Sequence, residues 1–299
     1  MRLPLAILYF LLRLVGRLPL RVLHALGALL GGLFWWSGSQ LRHHTEVNFR
    51  LIHTQFGEKE RQRTAKRTLR ETGKSFTEIA RIWGGGAERA LALVREVDGE
   101  DLFNAALASG RGLIIAAPHL GCWELLNFWL CSRTALAIVY RPPRNPALEP
   151  LLLRARGALN PEQIRAEGAG VRALYKRLQA GGVVGILPDQ QPKQGEGEFA
   201  PFFGVPALTM VLVSRLAQRT GATVLFAFAE RLPRGRGFRV RFRAAPPDIA
   251  SEDLPRAVAA LNRGVEDCVN LAFDQYQWHY KRFQYRPDPN EPNPYWRPR

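Results

Sequence analysis

Cysteine is nearly absent from this chain. Only Cys122, Cys131 and Cys268 occur, and no C-x-x-C pair is among them. An odd, scattered set argues against a disulfide framework or a zinc site, and it fits a reducing compartment. Acidic residues are missing from the start, since none precedes Glu46. Lysine is scarce although the net charge is +16, so arginine carries nearly all the positive charge. Such a balance calls for an anionic partner: nucleic acid, an anionic membrane surface, or an acidic protein or substrate. Arginine suits phosphate and carboxylate because its fork donates two hydrogen bonds at once. A GC-rich genome that favours arginine codons explains the bias equally well. Neither G-x-S-x-G nor G-x-x-x-x-G-K-[ST] occurs, which disfavours an α/β-hydrolase and a phosphate-binding P-loop. Gly168, Gly170 and Ala173 fit G-x-G-x-x-A, but they lie mid-chain after only a hint of a strand. A tight turn into a helix is the simpler account. No nucleic-acid module is recognisable and aromatics do not interleave a basic stripe, so nucleic acid is not the expected partner.

What is present begins with a long apolar N-terminus. Leu3 to Trp36 is apolar except for spaced arginines, Arg13, Arg17 and Arg21 among them. It lacks the single short apolar core and cleavage site of a signal peptide. "VLHALGALLGGLFWW", Val22 to Trp36, falls short of the ~20 residues that comfortably span a bilayer. It ends in Trp35-Trp36, residues favoured at membrane interfaces. Arginines on apolar helices suit an interfacial anchor, with guanidinium groups reaching lipid phosphates. The expectation is a membrane-anchored protein facing the cytoplasm. The alternative is a helical hairpin buried in a core.

The spacing predicts helices over residues 41–54 and 58–83, with Gly84-Gly85-Gly86 ending the second. Strands then alternate with helices. Predicted strands are "LVREV", "GLIIAA", "ALAIVY", "VVGIL", "TVLFAFAE" and "FRVRFR". Predicted helices are "GEDLFNAALASG", "CWELLNFWL", "PALEPLLLRARGAL" with Pro150 as a kink, "GVRALYKRLQAGG", "TMVLVSRLAQRTG" and residues 251–273, with Ser251 as N-cap. "PDQQPKQGEGEFAPFFGVPA" reads as a long functional loop, and "RPDPNEPNPYWRPR" as an irregular tail. The alternation predicts an α/β fold with a mainly parallel central sheet flanked by helices. Three segments follow: an anchoring segment 1–39, an α/β domain 40–285 and a proline-rich tail 286–299.

In "AAPHLGCWELL", His119 stands at the end of a buried strand, where open α/β sheets place ligands. Glu124 follows five residues later. His53 and Glu58 share that spacing in a polar link, so spacing alone means little. On a continuous helix the two side chains would diverge by about 140°. Pro118 and Gly121 permit the backbone break that would let them meet. Glu124 in the first turn of a helix could then hold the far imidazole nitrogen, making His119 a general base. A helix-capping histidine is the bland alternative. Cys122 is a rival thiol nucleophile.

With "PHLGCWE" in place, the chain resembles the late acyltransferases of lipid A biosynthesis, the lauroyl and myristoyl acyltransferases within the lysophospholipid acyltransferase superfamily. The resemblance runs through "RHHTEVNFRL", "PHLGCWE", "VYRPPRNPALEPLLLRARG", "GGVVGILPDQQPKQGEGEFAPFFGVPALT" and "QYQWHYKRFQYRP". It implies a glycerolphosphate-acyltransferase-like fold, His119 as base with Glu124 as its partner, and functional roles for Arg156 and Asp189. It implies acyl carrier protein thioester as donor, a hydroxyl of a lipid A precursor as acceptor, the cytoplasmic face of the inner membrane as location, and no metal or cofactor. Arg156 and Arg141 are then candidates for substrate phosphates, with a solvated basic face as their alternative. Asp189 either touches substrate or orders the long loop. Backbone N–H groups of Gly121 and Cys122 are candidate oxyanion donors. The superfamily's "FPEG-T-R-S" phosphate loop is missing, and "LPDQQPKQGEG" stands in its region. Related branches acylate mycobacterial mannosides or ornithine lipids, so another membrane glycolipid or aminolipid acceptor stays open, as does a non-catalytic lipid-binding role.

Overall fold

The computed structural model describes residues 3–53, 57–140, 149–156, 159, 161–165 and 168–296. Helices α1 (Leu3–Val15), α2 (Leu20–Trp36), α3 (Gln40–Ile52), α4 (Glu58–Gly84) and α5 (Ala87–Leu91) come first. Then follow β1 (Val94–Asp98), α6 (Glu100–Ala108), β2 (Leu113–Ala116), α7 (Trp123–Arg133), β3 (Leu136–Tyr140), α8 (Glu149–Arg156), β4 (Glu162–Arg165), α9 (Ala169–Gln179) and β5 (Val183–Ile186). The chain continues through β6 (Gly197–Phe202), β7 (Val205–Met210), α10 (Leu212–Thr220), β8 (Thr223–Arg231), β9 (Phe238–Ala244) and α11 (Leu254–Leu271).

Seven strands form one sheet in the order β1-β9-β8-β2-β5-β3-β4. β8, β2, β5, β3 and β4 run parallel, while β9 turns back antiparallel to β8 and β1 follows β9. The α/β reading therefore holds, with a mainly parallel sheet between helical layers. Every residue of β2 and β5 is buried, which is why both read as unbroken apolar runs.

Four sequence expectations need correcting. The "long loop" contains the hairpin β6–β7, closed by Phe203 and Gly204, both at positive φ. Such a two-residue turn matches strand twist. Pro201 pairs across from Pro206; a ribbon of two edge strands tolerates proline, which is why the pattern did not read as strand. β4 is short and half exposed, so it carries no apolar run. Pro150 sits in the first turn of α8 rather than at a kink, where its missing N–H costs nothing. α11 is capped by Asp253, which accepts from the Arg256 N–H, not by Ser251.

The N-terminal pair α1–α2 is bent by 113° and lies along α4. Among the described residues no single helix is long and apolar enough to cross a membrane. Glycines set the contact. A Cβ at Gly31 would strike the Leu69 carbonyl, and one at Gly73 the Gly27 carbonyl. Burial of the hairpin is one-sided, for Phe10, Leu14, Val22, Leu26, Leu29, Leu33 and Trp36 stay exposed. Beneath it, buried Arg231 of β8 joins Glu71 and Glu78 of α4, and His24 of α2 bonds Glu78 at 3.1 Å. Gly73→Ala should destabilise the protein by about 1–3 kcal/mol in urea titration, as overpacked contacts do. Alanine's advantage in helix propensity, about 1 kcal/mol, works against that loss. Unchanged stability would mean the helices are not locked at this contact.

Candidate active site

β2 and β5 are neighbours in register, with Ala116 opposite Ile186. Each is followed by two residues and then a polar group, "AAPH" from the last residue of β2 and "ILPD" from the last residue of β5. Equal offsets past adjacent parallel strands bring His119 and Asp189 together at the sheet's carboxyl edge, where ligands gather in this fold class. Asp189 Oδ1 lies 2.8 Å from His119 Nδ1, and Asp189 Oδ2 accepts the His119 backbone N–H at 2.9 Å. Asp189 is 3 % exposed. Burial pushes its carboxyl up, but the charge of His119 and these hydrogen bonds outweigh it and hold it below the ordinary range. An ionised carboxylate accepts only, so His119 Nδ1 carries a proton, and in the neutral imidazole Nε2 is the nitrogen with the lone pair.

The partner expected for His119 is thereby corrected. Glu124 sits in the first turn of α7, and its carboxylate is bonded to other residues. Arg156 grips it, with Nε 3.1 Å from both carboxylate oxygens and Nη2 2.5 Å from Oε1. Trp83 Nε1 adds a bond at 3.3 Å. The backbone does break at Gly121 (φ +61); His119 Nδ1 meets Asp189 beyond β5, and the imidazole ring packs edge-on against Trp123 at the start of α7. Burial alone would lower the Arg156 guanidinium's basicity, but the Glu124 charge and hydrogen bonds raise it above the usual value. Arg156 lines the same cavity as His119 while its Nε and Nη2 bond Glu124. Arg141 lies outside the described residues.

The oxyanion donors are corrected too. Gly121 N–H donates to the Gln275 carbonyl at 3.2 Å, and Cys122 N–H to the Ala229 carbonyl at 2.9 Å. Both are spent on fixing the loop, and a Cβ at Gly121 would collide with the Ala229 carbonyl oxygen. Cys122 is buried, and burial pushes its thiol well up, so it is not a nucleophile.

His119 opens onto a cavity of about 550 Å³. Val139, Ile186, Leu187, Met210 and Leu212 give it apolar walls, while Arg215 and Arg219 of α10 stand at its lining one turn apart. Gln190 caps the other face of the imidazole, with its amide nitrogen 3.2 Å from Nε2. Sequence reasoning passed over Gln190, Arg215 and Arg219. The repeated strand-Pro-polar pattern was the one available signal for the His119–Asp189 pairing. The site combines a base with a defined lone pair, an apolar cavity and a cationic lining. It can take a proton from a hydroxyl beside a bound hydrocarbon chain.

A family model described as bacterial lipid A biosynthesis acyltransferase matches residues 5–285. The chain is similar to a lipid A biosynthesis lauroyltransferase of Escherichia coli (strain K12), 28 % identical over 92 % of this chain and 89 % of the relative. It is similar to a lipid A biosynthesis palmitoleoyltransferase of the same organism, 26 % identical over 91 % and 88 %. A phosphatidylinositol mannoside acyltransferase of Mycobacterium tuberculosis (strain ATCC 25618 / H37Rv) is 30 % identical over 75 % of this chain and 71 % of that protein.

Proposed function

The chain belongs to the bacterial lipid A biosynthesis acyltransferase family and is an acyltransferase, and from that premise we propose that it moves a fatty acyl chain from an acyl carrier protein thioester to a hydroxyl of a lipid A precursor. One observation carries the chemistry: His119 Nδ1 is committed to Asp189, which leaves Nε2 as a base facing an apolar cavity. The acceptor hydroxyl gives its proton to Nε2 as its oxygen attacks the thioester carbon. Asp189 holds the ring and stabilises the imidazolium that forms. The thiolate leaves and takes that proton. No covalent enzyme intermediate is required.

Four further features support this reading. The apolar cavity walls suit an acyl chain. Arg215 and Arg219 add positive charge beside the base, which suits phosphorylated substrates. Basic charge across the chain suits an acidic carrier protein and an anionic inner leaflet. The exposed apolar row on α1–α2 fits docking to the cytoplasmic face of the inner membrane, with the helices lying in the interface. Leu29→Glu together with Leu33→Glu should abolish sedimentation with anionic phospholipid vesicles and leave the melting temperature unchanged. Equal sedimentation of variant and wild type would remove the docking face.

Incubating purified protein with acyl carrier protein thioesters and a tetra-acylated lipid A precursor tests the reaction. Transfer of one chain is expected, and His119→Ala should lose it by about 10²–10⁴-fold. Equal rates for wild type and His119→Ala would leave a lipid-binding protein without catalysis. The mannoside acyltransferase likeness favours one second reading, a different membrane glycolipid as acceptor. Transfer to a phosphatidylinositol mannoside but not to the lipid A precursor would establish it.

A further inference from the structure

An acyl transfer needs a donor for the oxygen that becomes negative, and from His119 to Cys122 every backbone N–H is already bonded. The His119 N–H goes to Asp189, the Leu120 N–H to the Pro118 carbonyl, the Gly121 N–H to Gln275 and the Cys122 N–H to Ala229. In the loop after β5, the Gln191 N–H goes to the Tyr280 hydroxyl. The Gln190 carboxamide is different. Its nitrogen touches His119 Nε2 at 3.2 Å and Gln277 Oε1 at 3.1 Å. Because Nδ1 holds the imidazole proton, Nε2 is the acceptor and the amide N–H the donor. The two amide hydrogens thus have two destinations. One ties Gln190 to the C-terminal segment, and the other covers the catalytic base.

We propose that Gln190 is a catalytic residue with two successive roles: it covers His119 Nε2 in the free enzyme, then donates to the thioester oxygen during acyl transfer. The proposal rests on the acyl-transfer reading above. A hydroxyl can reach Nε2 only if the Gln190 N–H leaves it. Gln277 keeps the carboxamide tethered, so the released N–H stays beside the reacting atoms. The acceptor O–H bond breaks and its proton passes to Nε2. The new C–O bond forms, and the carbonyl electron pair moves onto oxygen, where the Gln190 N–H meets it. On collapse the C–S bond breaks, and the thiolate takes the proton from Nε2. The carboxamide then returns to its place on the imidazole. Gln190 also lines the same cavity as His119, so the donor stands on the substrate side of the ring.

Gln190→Met keeps the side chain's length and removes the donor, while Gln190→Glu keeps its shape but replaces the donor by an anionic acceptor. Both should lower kcat by about 10²–10³-fold, the effect of deleting one oxyanion donor. In Gln190→Met the acceptor KM should not rise, because the group that competes with the hydroxyl for Nε2 is gone. In the substrate-free protein, the imidazole nitrogen NMR signal of His119 Nε2 should move in Gln190→Met while that of Nδ1 stays. A packing role would lower the melting temperature and leave both the nitrogen signal and kcat alone. A kcat within about tenfold of wild type, or an unmoved Nε2 signal, overturns the proposal. If wild type transfers no acyl chain to any acceptor, the acyl-transfer reading fails and the oxyanion role falls with it. The nitrogen signal still decides whether Gln190 covers the base.

Discussion

Asp189→Asn lowers kcat by about 10³–10⁴-fold and leaves the fold intact. A carboxamide fills the space of the carboxylate and can still accept the His119 backbone N–H at 2.9 Å. It can also present an NH₂ to Nδ1, which pushes the imidazole proton to Nε2, the position that has to receive the proton of the hydroxyl. It also removes the negative charge that steadies the imidazolium. In a serine protease triad the corresponding exchange costs about 10⁴ in kcat for the same reason. Single-turnover rates at saturating donor, with circular dichroism as the fold control, are the measurement. A loss under tenfold would mean that Asp189 orders its loop without acting on the base.

The second large effect is on stability. Glu124→Ala strands the Arg156 guanidinium against α7, and Arg156→Ala strands the carboxylate. Side-chain exposures are 5 % for Glu124 and 18 % for Arg156. Breaking one side of a buried pair costs about 3–5 kcal/mol, since the remaining charge is desolvated without compensation. We expect each single variant to lose that much in urea unfolding. The double variant should lose less than the two singles added, by about 0.5–3 kcal/mol of coupling. Strict additivity would show that the pair is not coupled. Activity divides the two carboxylates further. Glu124→Gln keeps hydrogen bonding to Arg156 and Trp83, so its kcat should fall less than that of Asp189→Asn. The reverse order would restore Glu124 as the partner of His119.

The sheet was readable because central parallel strands are buried on both faces. β2, β3, β5 and β8 therefore appear as apolar runs, and α9 and α10 between them end just before Gly181 and Gly221. The hairpin β6–β7 was not readable, because Pro201 and Pro206 argue against strand until their pairing is known. At the site, His119 and the turn at Gly121 were legible from "AAPHLGCWE". The partner was not. A carboxylate five residues away competes on paper with one seventy residues away, and only strand order decides. β5 lies beside β2, a fact no local spacing contains. The oxyanion candidates failed for a related reason. Gly121 and Cys122 do sit at a helix start, but distant carbonyls, Gln275 and Ala229, had already taken their hydrogens.

Those distant partners have a consequence in the order of synthesis. The Gln275 carbonyl, the Gln277 N–H bonded to the His119 carbonyl, and the Gln277 side chain that holds Gln190 all lie far downstream of the loop they fasten. Tyr276 packs against Leu120 as a β-bridge, and Tyr280 supplies the hydroxyl for Gln191. The loop that carries the base is made early on the ribosome and remains unfastened until residues 275–280 emerge. A nascent chain with its sheet already formed is therefore still inactive until that downstream segment has docked.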